Sequence, residues 1–288
     1  ARELLVAHRG ARRASSTRDR RSSHARLAAI VLAAAAFALG GLAAAPAPAA
    51  AAGASVVVVV GPVGSQTARY ISIARELAEE ARSFGANVSE IYSPNATWSR
   101  VVSAARGANV LIYLGHGNGW PSPYGPFSAE RKDGLGLNAR AGEGNSETTY
   151  YGESRIAESI RLAPNAVVIL NHLCYASGNS EPGNADPSRS VAMRRVDNYG
   201  AGFLRAGAAA VIADGHGDAS YVLRGLFGTN LSLEEIFWNA GWSSTGQYTI
   251  EFASTRTRGA RAIMDPAHPG GYYRSIVGRL GVTAVEWR

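Results

Sequence analysis

The sequence predicts an α/β domain built on a mostly parallel central sheet with helices on both faces. Three observations carry the prediction. Four segments, Ser55–Val60, 109–114, 166–170 and 208–213, are short apolar runs without alternation, the pattern of strands buried on both faces. Stretches with apolar residues at helical spacing separate several of them. Polar turns follow each run, so strand and helix alternate as they do in βαβ units.

The elements follow in order. Ser55–Val60 is a five-valine run closed by Gly61-Pro62. Residues 67–84 place Ile71, Ala74, Leu77, Ala78, Ala81 and Phe84 on one stripe, and Gly85 ends that helix. Asn87–Tyr92 is a short strand. Thr97 then stands at the cap position of a helix running to Arg106, with Trp98, Val101, Val102 and Ala105 inward. Residues 109–114 form a strand that ends in Gly115-His116-Gly117. The segment 118–151 has no periodicity, and its Trp120, Tyr124, Phe127, Tyr150 and Tyr151 predict an ordered surface loop. Residues 153–162 read as a helix and 166–170 as a strand leading into Asn171-His172-Leu173-Cys174. After a second polar loop, 175–188, come a helix or two short ones over 191–206 and a strand over 208–213 that ends in Asp214-Gly215-His216-Gly217. Residues 220–227 and 232–240 are helical, the latter opened by a Ser232/Glu235 capping box. In the tail, 248–252 and 282–287 look strand-like, and 272–279 reads as a helix.

The first 52 residues read as a secretion signal. Residues 1–26 carry eight arginines against Glu3 and Asp19, residues 27–42 are uncharged and apolar, and 43–52 offer the small-residue cleavage sites Ala47-Pro48-Ala49 and Ala50-Ala51-Ala52. The apolar run is short, dominated by Ala, and ends at Gly and Pro, which favours cleavage over a retained anchor. The expected location is therefore secreted or cell envelope, with no stable membrane association after cleavage. Residues 53–288 are enough chain for a single well-cored domain.

This reading changes the meaning of the charge. The whole chain carries +7, from 29 basic and 22 acidic residues. Removing the eight arginines and two acids of residues 1–26 leaves 21 basic against 20 acidic residues. The basic excess belongs to the export segment and predicts no nucleic-acid partner. Lys132 is the single lysine, and Cys174 the single cysteine. A lone Cys in an exported chain makes no internal disulfide, so it is either buried filler or a thiol with chemistry.

Three polar clusters follow apolar strands: His116-Gly117, Cys174, and Asp214-Gly215-His216. In a parallel sheet, groups after the carboxyl ends of strands gather along one edge, where ligands bind. His116 and Cys174, 58 residues apart in sequence, are thereby expected to be neighbours in space. A His delivered beside a thiol can take its proton, and a Gly after the His leaves an unshielded N–H for an oxyanion. His172 would share the face of Cys174 if the strand ran on that far, and reads as a core histidine. Glu181 and Asp186 read as loop charges. His116, His172, His216 and Asp214 lack metal-ligand spacing, so no metal is expected. Gly61-Pro62-Val63-Gly64 lacks the residues of a phosphate-binding loop and reads as a tight turn; no cofactor is expected.

An apolar block ending in His-Gly, followed by an apolar block ending in Cys, resembles the caspase-like cysteine peptidases, the superfamily of caspases, gingipain, clostripain and legumain. The matching residues are Val110-Leu111-Ile112-Tyr113-Leu114-Gly115-His116-Gly117 and Val167-Val168-Ile169-Leu170-Asn171-His172-Leu173-Cys174. Residues 202–212 also look like the segment after the nucleophile in bacterial members, and the resemblance spans about 55–227. It implies a three-layer sandwich and an endopeptidase acting on peptide or protein substrates. Cys174 would be the nucleophile, His116 the proton carrier, and the Gly117 and Cys174 N–H groups the oxyanion donors. Asp214, His216 and Asp218 lie where relatives build the substrate pocket, and an acid there would favour Arg or Lys. Leu173 departs from the small or polar residue that many relatives carry before the Cys. The alternative expectation is a non-catalytic exported domain of the same fold that binds peptide, glycan or protein through the aromatic loop.

Overall fold

A computed structural model describes residues 53–288, so the export-signal reading of 1–52 lies outside the described residues. The valine run forms strand β1, Ser55–Val60, buried along its length. It is followed by helix α1, Thr67–Ser83, strand β2, Asn87–Tyr92, helix α2, Trp98–Ala105, and strand β3, Val110–Leu114. Strand β4, Leu135–Leu137, and strand β5, Thr149–Tyr151, come next, then helix α3, Glu153–Ser159. Strand β6, Ala166–Asn171, helix α4, Arg189–Arg205, and strand β7, Ala208–Asp214, complete the parallel part. The tail consists of helix α5, Ser220–Gly228, helix α6, Leu233–Trp238, strands β8, Ile250–Ala253, β9, Arg261–Asp265, and β10, Arg274–Gly278, and helix α7, Ala284–Trp287.

Eight strands form one sheet in the order β2-β1-β3-β6-β7-β10-β9-β8. The first five are parallel, and β10, β9 and β8 each run antiparallel to the strand before them in that order. Alternation divides each central strand between two cores. Val57 and Val59 of β1 pack with residues of α2, α3 and α4, whereas Val56, Val58 and Val60 pack with residues of α1, α5, α6 and α7. The result is a three-layer α/β sandwich, as the unalternating strands require: both faces of each must leave water. Among the described residues no helix is long and apolar enough to cross a membrane.

Three expectations fail, each for an identifiable reason. The aperiodic segment 118–151 contains a small antiparallel ladder, β4 with β5, which is too short to show a period in sequence. Residues 272–279 are a strand rather than a helix. β10 lies between β7 and β9 with all five residues buried; without it β7 would present an unpaired edge in the core. Gly278 permits this fit, since its φ is +147° and a Cβ there would overlap the Ala209 backbone. Residues 282–287 end in a helix rather than a strand. The Thr283 hydroxyl accepts from the Glu286 N–H while the Glu286 carboxylate accepts from the Thr283 N–H, closing a capping box. Thr97 occupies its expected cap position, but its side chain makes no capping bond.

Candidate functional site

The parallel strands end level with one another. Leu114 of β3 is in register with Asn171 of β6, Asn171 with Asp214 of β7, Asp214 with Arg274 of β10, and Arg274 with Asp265 of β9. All four polar members of this row are buried. A buried charge is tolerated only when paired. Arg274 Nη1 donates to Asp265 Oδ2 at 2.7 Å, and its Nε lies 3.6 Å from Asp214 Oδ2. The Asn171 amide donates to the carbonyls of Asp214 and Gly217, at 3.1 and 3.0 Å, fastening the turn after β7.

The chemistry-bearing residues hang just beyond this row. His116 is exposed two residues past β3, and Cys174, partly exposed, lies three residues past β6. Their loops touch through glycine. A Cβ at Gly117 would overlap the Cys174 carbonyl oxygen, and one at Gly119 would overlap the Tyr175 side chain. The His-Gly and Cys segments are therefore neighbours in space. Among the described residues, neither the Gly117 nor the Cys174 N–H donates to a protein acceptor.

Two cavities open here. One, of about 420 Å³, is lined by Cys174, His172, Tyr70, Asn179, His216 and Tyr273 among others. The second, of about 770 Å³, is lined by His116, Gly117, Tyr124, Lys132 and Tyr150. Glu181 lines both. Among the described residues no group of three or more His, Cys, Asp or Glu side chains is placed to hold a metal ion.

The three pocket candidates separate. His216 lines the cavity beside Cys174, its ring 4.2 Å from that of Tyr273. Asp214 does not line it: the carboxylate is buried, faces Arg274, and accepts from the His216 and Gly217 N–H groups. Asp218 is exposed and bonds Ser220 at the start of α5, at 2.8 Å to the N–H. An acidic pocket floor built from Asp214 and Asp218 is therefore absent from this cavity. His172 departs too. β6 stops at Asn171, and His172 takes φ +58°, which breaks the alternation that would have set it beside Cys174 on one face. It is not the core histidine expected: partly exposed, it lines the Cys174 cavity with its ring 5.6 Å from that of Tyr70.

Burial sets the resting protonation. It pushes the Cys174 thiol up to about 11, with the Glu181 charge adding to the rise. Although His116 is exposed, the protein packed around its ring lowers it below the ordinary imidazole range, against a smaller upward pull from Glu181. At neutral pH the site therefore holds a neutral thiol and a neutral imidazole. Burial likewise lowers His172 and raises Asp214.

The residues that shape the loops went unseen in sequence. Lys132 Nζ is held by Asn118 Oδ1, Ser122 Oγ and the Tyr124 carbonyl, at 2.7, 3.0 and 2.8 Å. Arg195 of α4 donates to the Pro121 carbonyl and to the Asn179 carbonyl, both at 2.7 Å, joining the two loops from beneath. Tyr124 donates its hydroxyl to Glu181 Oε2 at 2.5 Å, joining them from above. A single lysine amid Asn, Ser and Pro carried a faint signal; Glu181 carried none, because its partner lies 57 residues away.

No protein-family model matches the chain, and no curated protein matches it. Among solved structures it is similar to the crystal structure of protein GSU0716 from Geobacter sulfurreducens, at 13% identity and a TM-score of 0.30, over 64% of this chain and 86% of that one. A likeness so remote carries no argument, and the assignment rests on strand order and layering: the chain is a three-layer α/β protein with a mostly parallel eight-stranded sheet.

Proposed function

We propose that this chain is an exported cysteine endopeptidase of the caspase-like type, in which Cys174 and His116 form the catalytic dyad. The observation that carries the reading is the approach of Gly117 to the Cys174 carbonyl at the ends of adjacent parallel strands. A thiol, an imidazole and two N–H groups that meet no protein acceptor among the described residues therefore stand at one edge of the sheet.

The chemistry follows from the resting charges. The thiol is protonated at neutral pH, so His116 takes the Sγ proton as sulfur attacks the substrate carbonyl carbon. The Gly117 and Cys174 N–H groups stabilise the resulting oxyanion. Collapse of the tetrahedral intermediate breaks the C–N bond, and the imidazolium passes its proton to the leaving amine. Water then attacks the thioester carbon, giving its proton to His116, and the released thiolate is reprotonated. No cofactor enters these steps. The substrate is a peptide or protein, with His216 beside the residue preceding the scissile bond.

The test is covalent labelling of the purified protein with a peptide carrying a thiol-reactive group. Cys174 is the single cysteine, so the site of labelling is unambiguous. Labelling lost in both Cys174→Ala and His116→Ala supports the dyad; labelling undiminished in His116→Ala overturns it. One observation favours a second reading, a non-catalytic domain that binds peptide, glycan or protein. Tyr124 and Phe127 on the 118–151 loop are 55% and 41% exposed, more than most aromatic rings of the domain. An undiminished label in His116→Ala selects that reading.

A further inference from the structure

Glu181 occupies a place that a solvated loop charge has no reason to hold. It lines the cavity of Cys174 and the cavity of His116, and it is half-buried. Its carboxylate is fixed by the Tyr124 hydroxyl at 2.5 Å. The backbone beneath is fixed as well, because Arg195, itself buried, bonds the carbonyl of Asn179 and the hydroxyl of Ser180 just before it. We propose that Glu181 is a positioning residue for His116, its carboxylate oriented by Tyr124 so that it faces the imidazolium formed when the thiol gives up its proton. The inference rests on the dyad reading above and adds a third member to it.

The physical case is electrostatic. A carboxylate beside an imidazole favours the protonated ring and holds its orientation, and that favour grows as the ring becomes charged during reaction. Glu181 acts on both partners, drawing His116 upward and pushing Cys174 upward as well. The other ionisable groups around the His116 cavity are Tyr124, Glu130, Arg131, Lys132 and Tyr150. The Lys132 ammonium is bound to three oxygens of the 118–124 segment, and Tyr124 is bound to Glu181 itself. The link between the loops is made by side chains from both, so neither loop alone supplies the third member.

The experiment reads His116 directly. Imidazole resonances of the full chain are titrated by NMR, with the His116 signal assigned from its disappearance in His116→Asn. In Glu181→Gln the His116 midpoint is expected to fall by about half a pH unit or more. Tyr124→Phe, which keeps the ring and frees the carboxylate, is expected to shift it in the same direction by less. In parallel, iodoacetamide should alkylate Cys174 faster in Glu181→Gln at pH 8, by about twofold or more, since a charge opposing the thiolate is gone. The peptide probe should label it more slowly. A purely structural Glu181 would slow both reagents or neither. An unmoved His116 midpoint in Glu181→Gln and Tyr124→Phe overturns the proposal. The dyad itself stands or falls separately, on whether His116→Asn abolishes labelling by the peptide probe.

Discussion

The α-carbon of Gly117 lies against the carbonyl of Cys174, leaving no room for a side chain between the His-Gly turn and the cysteine loop. The residue after His116 must therefore be glycine for steric reasons alone, whatever its N–H does. Gly117→Ala should force the two loops apart. Overpacking of this kind costs about 1–3 kcal/mol, read as a lower midpoint in urea unfolding, with peptide-probe labelling of Cys174 lost as well. An alanine variant that unfolds and labels like the parent would show that the loops yield without consequence.

Arg274 holds the site from behind. Its guanidinium bonds Asp265 and approaches Asp214, and it lies over the Phe237 ring at 4.5 Å. Replacing one partner of a buried ion pair strands the other charge, at about 3–5 kcal/mol. Arg274→Met should be destabilised on that scale by urea unfolding, and Arg274→Met with Asp265→Asn should recover part of the loss. A double variant no more stable than the single one would mean that packing, not charge, is what Arg274 contributes.

Asp133 makes stability depend on pH. The carboxyl is fully buried, accepts from the Trp120 N–H at 2.8 Å through Oδ1, and leaves Oδ2 without a partner among the described residues. Burial pushes it up to about 8, far above the 3.8 of a free carboxyl. The folded state therefore binds a proton more tightly than the unfolded state does. Its contribution is complete below about pH 4 and is lost progressively as pH rises to about 8. Asp133→Asn should melt near the parent at low pH and above it at pH 8.5, so that the gap between the two widens with pH. A gap that is constant across this range would place the titration elsewhere.

Much of this architecture was legible in the residues. The valine run of β1 and the apolar runs of β3, β6 and β7 announce buried strands because both faces must be apolar when both are covered. The Ser232/Glu235 box marked a helix start because capping is a contact between near neighbours. Thr283 and Glu286 carried the same signal at α7, but the β-branched Val282 and Thr283 suggested a strand first. The tail misled because β10 owes its conformation to β7 and β9 on either side. Asp214 misled for a related reason: a carboxylate after a strand can face the cleft or the core, and Arg274, which decides, is 60 residues away.

By itself, the sequence determined the fold class and the presence of two His-Gly pairs and one Cys beyond the strand ends. These follow from hydrophobic pattern and chain connectivity, which are local properties. The tertiary structure alone decided that Gly117 meets the Cys174 carbonyl, that Asp214 turns inward to Arg274, and that Glu181, tied to Tyr124, lines two cavities. Such pairings depend on which distant loops are brought into contact when the sheet closes, and packing sets them rather than periodicity.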